Sequence, residues 1–119
     1  MPYAHDLAPD ERRELLRIAR ATLREYADSQ RIPPGKPHRA SLVAPAIVTV
    51  ALAEGGREVA RATSPDERPL YRGIQEQLVA AVRARGGALD ADRLDDLVIA
   101  IEIATAGAPV QFAESPRAT

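Results

Sequence analysis

Arginine is the side chain with the most chemical reach in this sequence. Fifteen arginines stand against a single lysine, Lys36. Four of them, Arg13, Arg17, Arg20 and Arg24, follow a four–three–four spacing. At about 100° per residue that spacing lines them along one helix face, roughly 120° from the apolar stripe of the same helix. Guanidinium groups so arranged dock carboxylates or phosphates through paired hydrogen bonds. The same row serves equally well as a solvated outer face, with Glu14 supporting Arg17 in a helical ion pair of about 0.2–0.5 kcal/mol. A second set, Arg57, Arg61, Arg68 and Arg72, brackets a polar strand and the loop after it. Polar edge strands resist aggregation, and they also accept a partner strand. These eight arginines are the candidate protein-binding residues.

Catalytic candidates are harder to assemble, and none is assigned. The chain has no cysteine, which removes disulfides, thiol nucleophiles and thiolate metal sites together. No serine or threonine sits in a nucleophile motif, and no glycine-rich phosphate loop occurs. Gly55-Gly56 and Gly86-Gly87 read as a turn and a helix cap. Asp95 and Asp96 are adjacent, so they point apart, whereas acid–base catalysis needs groups converging in an enclosed pocket. A metal site would need His5 and His38 brought together with a carboxylate such as Asp6, and nothing in their spacing demands it. No metal or cofactor is expected.

Composition narrows the class further. One domain fits in 119 residues. Apolar residues make up 45%, yet 23 of them are alanines and aromatics are only 3%, so the core should be thin and aliphatic. A thin core argues for an obligate partner or a homodimer. The net charge of −1 offers no global field for nucleic acid or an anionic membrane. Scarce aromatics also disfavour single-strand binding. The excess of arginine and alanine is what a GC-rich bacterial genome encodes. No stretch approaches a membrane span and the first residues lack a signal pattern, which makes cytoplasmic the expected location.

The elements that must position the arginines are legible from periodicity. Pro9, Glu11 and Glu14 open a helix whose Leu15, Leu16, Ala19, Leu23 and Tyr26 share a face. It should run from Pro9 to Asp28 or Ser29 and stop before the proline-rich connector Ile32–Pro37. Ala46–Leu52 is β-branched and short, a strand. Gly55-Gly56 turns it into a second strand, Arg57–Thr63. Residues 64–69 read as a loop. A second helix follows, with Leu70, Ile74, Leu78, Ala81 and Val82 as its stripe, ended by Gly86-Gly87. Asp90–Asp96 suits a short helical turn, and Leu97–Ile103 alternates as the best strand. Residues 1–110 are then the domain and 111–119 a flexible tail. Within this end of the chain Val110 and Phe112 read as folding back on the core, or as a short linear motif for another protein. The fold class is α+β, with two main helices on one face of a small, mostly antiparallel sheet.

This order and several strings resemble the AMMECR domain family, including the A component of the so-called AmmeMemoRadiSam system, over about Leu7 to Val110. Leu15 to Tyr26 followed by Ile32-Pro33 is similar to the family's opening helix and I-P segment. Ile47-Val48-Thr49-Val50 is similar to its F-V-T-L strand. Arg68-Pro69-Leu70 matches the R-P-L that opens its next helix, and Asp92 to Ile103 its late acidic-then-aliphatic segment. The family signature L-R-G-C-I-G-S is replaced by Val59-Ala60-Arg61-Ala62-Thr63, without the cysteine or either glycine. The family's D-P-R-F is replaced by Ala84-Arg85-Gly86-Gly87. The resemblance therefore implies the scaffold, and points toward a binding protein, because fold does not imply function.

The expectation is a non-enzymatic adaptor or regulatory subunit that binds another protein. The alternative is an accessory component of an enzyme system, holding a small anionic ligand in a cleft near Arg61 and Arg68.

Overall fold

The computed structural model describes residues 7–34, 40–87, 90–105 and 107–115. Helix α1 spans Pro9–Ser29, as the periodicity predicts. Pro9 stands where a missing N–H costs nothing. The Glu11 carboxylate accepts the Ala8 backbone N–H at 3.1 Å, and Asp10 and Glu11 sit at the positive end of the helix dipole. Gln30 closes the helix in the left-handed region, φ 60°, donating its N–H to the Tyr26 carbonyl at 2.8 Å.

A 3-10 turn, Ala40–Val43, leads to β1 (Pro45–Ala46) and β2 (Val48–Glu54). The sequence suggests one strand beginning at Ala46; the chain instead breaks at Ile47. Ala46 belongs to a two-stranded ladder with β4 (Arg68–Pro69), inside what reads as a plain loop. That ladder and the Leu70 N–H to Ala44 carbonyl bond at 3.0 Å fix where α2 (Leu70–Arg85) begins. Between β2 and β3 (Arg57–Thr63), Gly55 and Gly56 take φ of 59° and 80°. Two consecutive positive angles define the hairpin turn whose twist matches its strands. A short α3 (Ala91–Asp96) follows, its N-terminus capped by the Asp90 carboxylate on the Arg93 N–H at 2.9 Å.

The main sheet has the order β3-β2-β5-β6, every pair antiparallel, with β5 at Leu97–Ile103 and β6 at Val110–Ala113. Val48, Val50 and Leu52 of β2 and Leu97, Ile99, Ile101 and Ile103 of β5 are buried under the helices. Helix α2 lies over β2 and β3, and α1 lies beside α2 and over β5. Gly73 lets α2 come close: a Cβ there would stand 3.1 Å from Val48 Cγ2. The core is aliphatic as expected. Its fully buried large side chains are Leu, Ile and one glutamine, while Tyr26, Tyr71 and Phe112 are only partly covered. Each buried Leu or Ile contributes about 1.5–3 kcal/mol.

The expected flexible tail from residue 111 is corrected in its first part. Gln111, Phe112 and Ala113 are in β6, paired with β5 from Val110↔Ile103 to Ala113↔Ala100. Backbone pairing, not only apolar contact, holds this segment. Val110 is buried and Phe112 packs against the core, which agrees with the fold-back reading. Among the described residues no helix is long and apolar enough to cross a membrane.

Candidate interaction surface

Helix α1 separates its arginines into two kinds. Arg13 and Arg24 are exposed, and neither has an ion pair among the described residues. Arg17 is 74% exposed and reaches Glu14 at 3.4 Å. Arg20 is different, and the expectation of one four-membered ridge is corrected here. Its Nε donates to Glu114 Oε2 at 3.0 Å, Nη1 to the Leu94 carbonyl at 2.8 Å and Nη2 to the Leu97 carbonyl at 2.6 Å. A further contact joins Nη2 to Glu114 Oε1. Glu114 in turn accepts the Ile99 N–H at 2.9 Å. Arg20 thus ties α1 to the α3–β5 junction and to the end of β6, with only 18% of its side chain exposed. The step of three from Arg17 to Arg20 rotates it about 60° back toward the apolar stripe, where the returning chain meets it.

Arg12, which the spacing argument passes over, lies on the same flank. Its guanidinium carbon stands 6.0 Å from the centroid of the Phe112 ring, within cation–π range. Its Nε is buried with no hydrogen-bond partner. The signal in the sequence is its place one residue before Arg13, about 100° nearer the stripe, but its aromatic neighbour is a hundred residues away.

The second arginine set does not converge. Arg57 is exposed at the start of β3, and Arg72 is exposed on α2. Arg68 pairs with Asp66 at 3.0 Å. Arg61 pairs with Glu58 through Nε at 3.2 Å and Nη2 at 2.8 Å. Residues three apart in a regular strand face opposite sides. Here the register slips: Leu52 opposes Ala60 and Ala53 opposes Glu58. Val59 is the extra residue of a bulge, and the bulge turns Glu58 onto the face of Arg61. The hydrogen bonds from Arg61 hold the Glu58 carboxyl below its ordinary value, and Glu58 raises the Arg61 guanidinium in return.

Arg61 also lines a shallow concavity of about 340 Å³ on the sheet face away from the helices. Its floor is Ala51, Ala100 and Ala113, and its polar rim is Thr49, Glu102 and Gln111. Gln111 donates to Glu102 at 2.5 Å. Arg68 does not line it. His5 and His38 lie outside the described residues, and among the described residues no three His, Cys, Asp or Glu side chains gather as a metal site.

These features define a small α+β protein whose surface chemistry is carried by guanidinium groups. No family model matches the sequence, and no curated protein matches it. Among solved structures, the fold is similar to that of the uncharacterized protein PH0010 from Pyrococcus horikoshii, with a TM-score of 0.66 and 20% identity over 76% of this chain. The matched part is 49% of that protein, so this chain spans about half its length. The likeness concerns the fold alone.

Proposed function

We propose that this chain is a non-enzymatic adaptor or regulatory subunit on an AMMECR-like scaffold, binding another protein through the exposed arginines of α1. The observation that carries the reading is the contrast within the arginines. Arg20, Arg61, Arg68 and Arg85 all have carboxylate partners inside the chain. Arg13 and Arg24 have none among the described residues, and Arg17 has one long, exposed bridge. Guanidinium groups left in this state are suited to an external carboxylate surface, where bidentate pairing adds both strength and orientation.

A tagged pull-down from the native cell, read by mass spectrometry with stoichiometry, tests this. The expected result is one near-stoichiometric protein, lost with Arg13→Glu/Arg24→Glu at an unchanged melting temperature. Undiminished capture by that folded variant would remove α1 from the reading.

A second reading, an accessory component binding a small anion, has the concavity at Arg61 in its favour. Charge weighs against it. Glu58 already occupies Arg61, and Glu102 stands on the same rim. Native mass spectrometry showing a co-purified anionic metabolite, with no protein partner, would favour this reading over the adaptor.

A further inference from the structure

The sheet has two outer strands, and they are built differently. β3 carries Arg57, Glu58 and Arg61 and is broken by the bulge at Val59. Charge and bulges are what keep an edge unpaired. β6 has neither. Val110, Gln111, Phe112 and Ala113 are uncharged, and their register with β5 is regular.

The ladder shows which groups of β6 are free. Glu114 donates its N–H to the Ile99 carbonyl at 2.9 Å, so that pair is hydrogen-bonded. In an antiparallel ladder such pairs alternate with non-bonded ones. Val110 and Phe112 therefore turn their backbone groups toward β5. Gln111 and Ala113 turn theirs away from the sheet, and no strand pairs with that side among the described residues.

A cation waits beside this edge. Arg12 overhangs Phe112, with a buried Nε that has no acceptor, and no carboxylate pairs with it among the described residues. Arg13 is exposed next to it. On the opposite sheet face the same edge borders the alanine floor and Glu102.

We propose that β6 accepts an extended acidic segment of the partner protein as a fifth strand. This rests on the protein-binding reading and specifies its chemistry. Antiparallel addition sets one partner residue opposite Phe112, in the closely spaced position of about 4.5 Å between Cα atoms. Its side chain falls on the helix side, where an Asp or Glu meets Arg12. The flanking partner residues exchange backbone hydrogen bonds with Gln111 and Ala113. Their side chains lie on the other face, over Ala100 and Ala113 and near Glu102, so small or β-branched uncharged residues fit there. The recognised pattern is small–acidic–small. A second copy of this chain is the poorer occupant, because a two-fold axis at Phe112 would set the Arg12 and Arg13 pairs against each other, like charge facing like.

The probe is a short capped peptide of alternating Glu and Val, titrated into the ¹⁵N-labelled protein at low salt. The expected result is binding that slows exchange of the Gln111 and Ala113 amides. It should weaken about tenfold with Arg12→Gln and disappear when Lys replaces Glu in the peptide. Alternate N-methylation of the peptide should also abolish it, and that control leaves the protein unaltered. Ala113→Pro removes an outward N–H that β5 does not use, and should act like N-methylation if circular dichroism shows the fold retained. Shifts confined to Arg13, Arg17 and Arg24, insensitive to N-methylation, would overturn strand addition while leaving the adaptor reading intact. Absence of binding at millimolar peptide would overturn it as well. Concentration-dependent dimerisation with protected Gln111 and Ala113 amides and no peptide would make a second copy the occupant.

Discussion

Replacing Arg20 with alanine should destabilise the protein far more than replacing Arg17, although the two stand three residues apart on one helix. Arg17 has a single long contact to Glu14 and is 74% exposed; its loss should cost no more than about 0.5 kcal/mol. Arg20 donates hydrogen bonds of 2.6 to 3.0 Å to two carbonyls and to Glu114, with a further contact from Nη2 to Glu114 Oε1. Its removal leaves the Leu97 carbonyl and Glu114 Oε2 without the donor they have here, while the Leu94 carbonyl keeps the Leu97 N–H and Glu114 Oε1 keeps the Ile99 N–H. Removing one member of a fully buried pair costs about 3–5 kcal/mol. The Arg20 and Glu114 side chains are 18% and 21% exposed, so water recovers part of that loss, and about 2–4 kcal/mol is the working figure. For a domain of this size that lowers the melting temperature by about 8–15 °C.

The assay is thermal and urea unfolding of the wild type, Arg17→Ala, Arg20→Ala, Glu114→Gln and the Arg20→Ala/Glu114→Gln double variant. The double-mutant cycle should return a coupling of about 1 kcal/mol or more. Amide exchange in β6 should quicken in the Arg20 variant, because Glu114 also holds the Ile99 N–H. An Arg20→Ala protein within about 0.5 kcal/mol of wild type, or additive single variants, would refute the clamp. A charge reversal at Arg20 is accordingly no test of partner binding, whereas Arg13→Glu and Arg24→Glu are.

The other predictions concern single contacts. Gly73→Ala should lose stability by about 1 kcal/mol, since crowding against Val48 in a packed core outweighs the gain in helix propensity. The Gly73→Ala/Val48→Ala pair should be less destabilised than the sum of its parts, and a simple sum would show that the 3.1 Å approach is harmless. Arg61→Gln should raise the Glu58 carboxyl toward its ordinary value, followed by carboxyl-carbon NMR titration. Because the folded value is depressed, the pair favours the fold above the unfolded value and that contribution disappears as pH falls through the folded one. An unmoved Glu58 titration in the variant would show that another group sets it. In the cell, Arg13→Glu/Arg24→Glu should lose the partner, and with the Glu–Val peptide Arg12→Gln should weaken binding about tenfold.

Local rules made most of the fold legible. α1 and α2 announce themselves by apolar spacing, the hairpin by Gly55-Gly56, and β5 by strict alternation from Leu97 to Ile103. What escaped depends on contacts between distant residues. Nothing near Arg68-Pro69 signals a ladder; it exists because Pro45-Ala46 arrives beside it. Glu114 reads as part of a polar tail until β6 carries it to Arg20. Arg61 and Glu58, three residues apart, belong to opposite faces of a regular strand until the bulge at Val59 realigns them. These omissions bear directly on function. A helical wheel measures direction from one axis, and four arginines spaced four–three–four look alike on it. Tertiary structure divides them, because one flank of α1 meets the α3–β5 junction and β6 while its outer face looks to solvent. Arg20 is consumed by that contact, Arg12 is stranded beside it, and Arg13 and Arg24 stay free. An arginine count would therefore rank all of these residues equally as partner contacts. The physical ranking puts Arg12 first for strand addition, since a half-covered guanidinium without an acceptor gains most from a carboxylate brought to it.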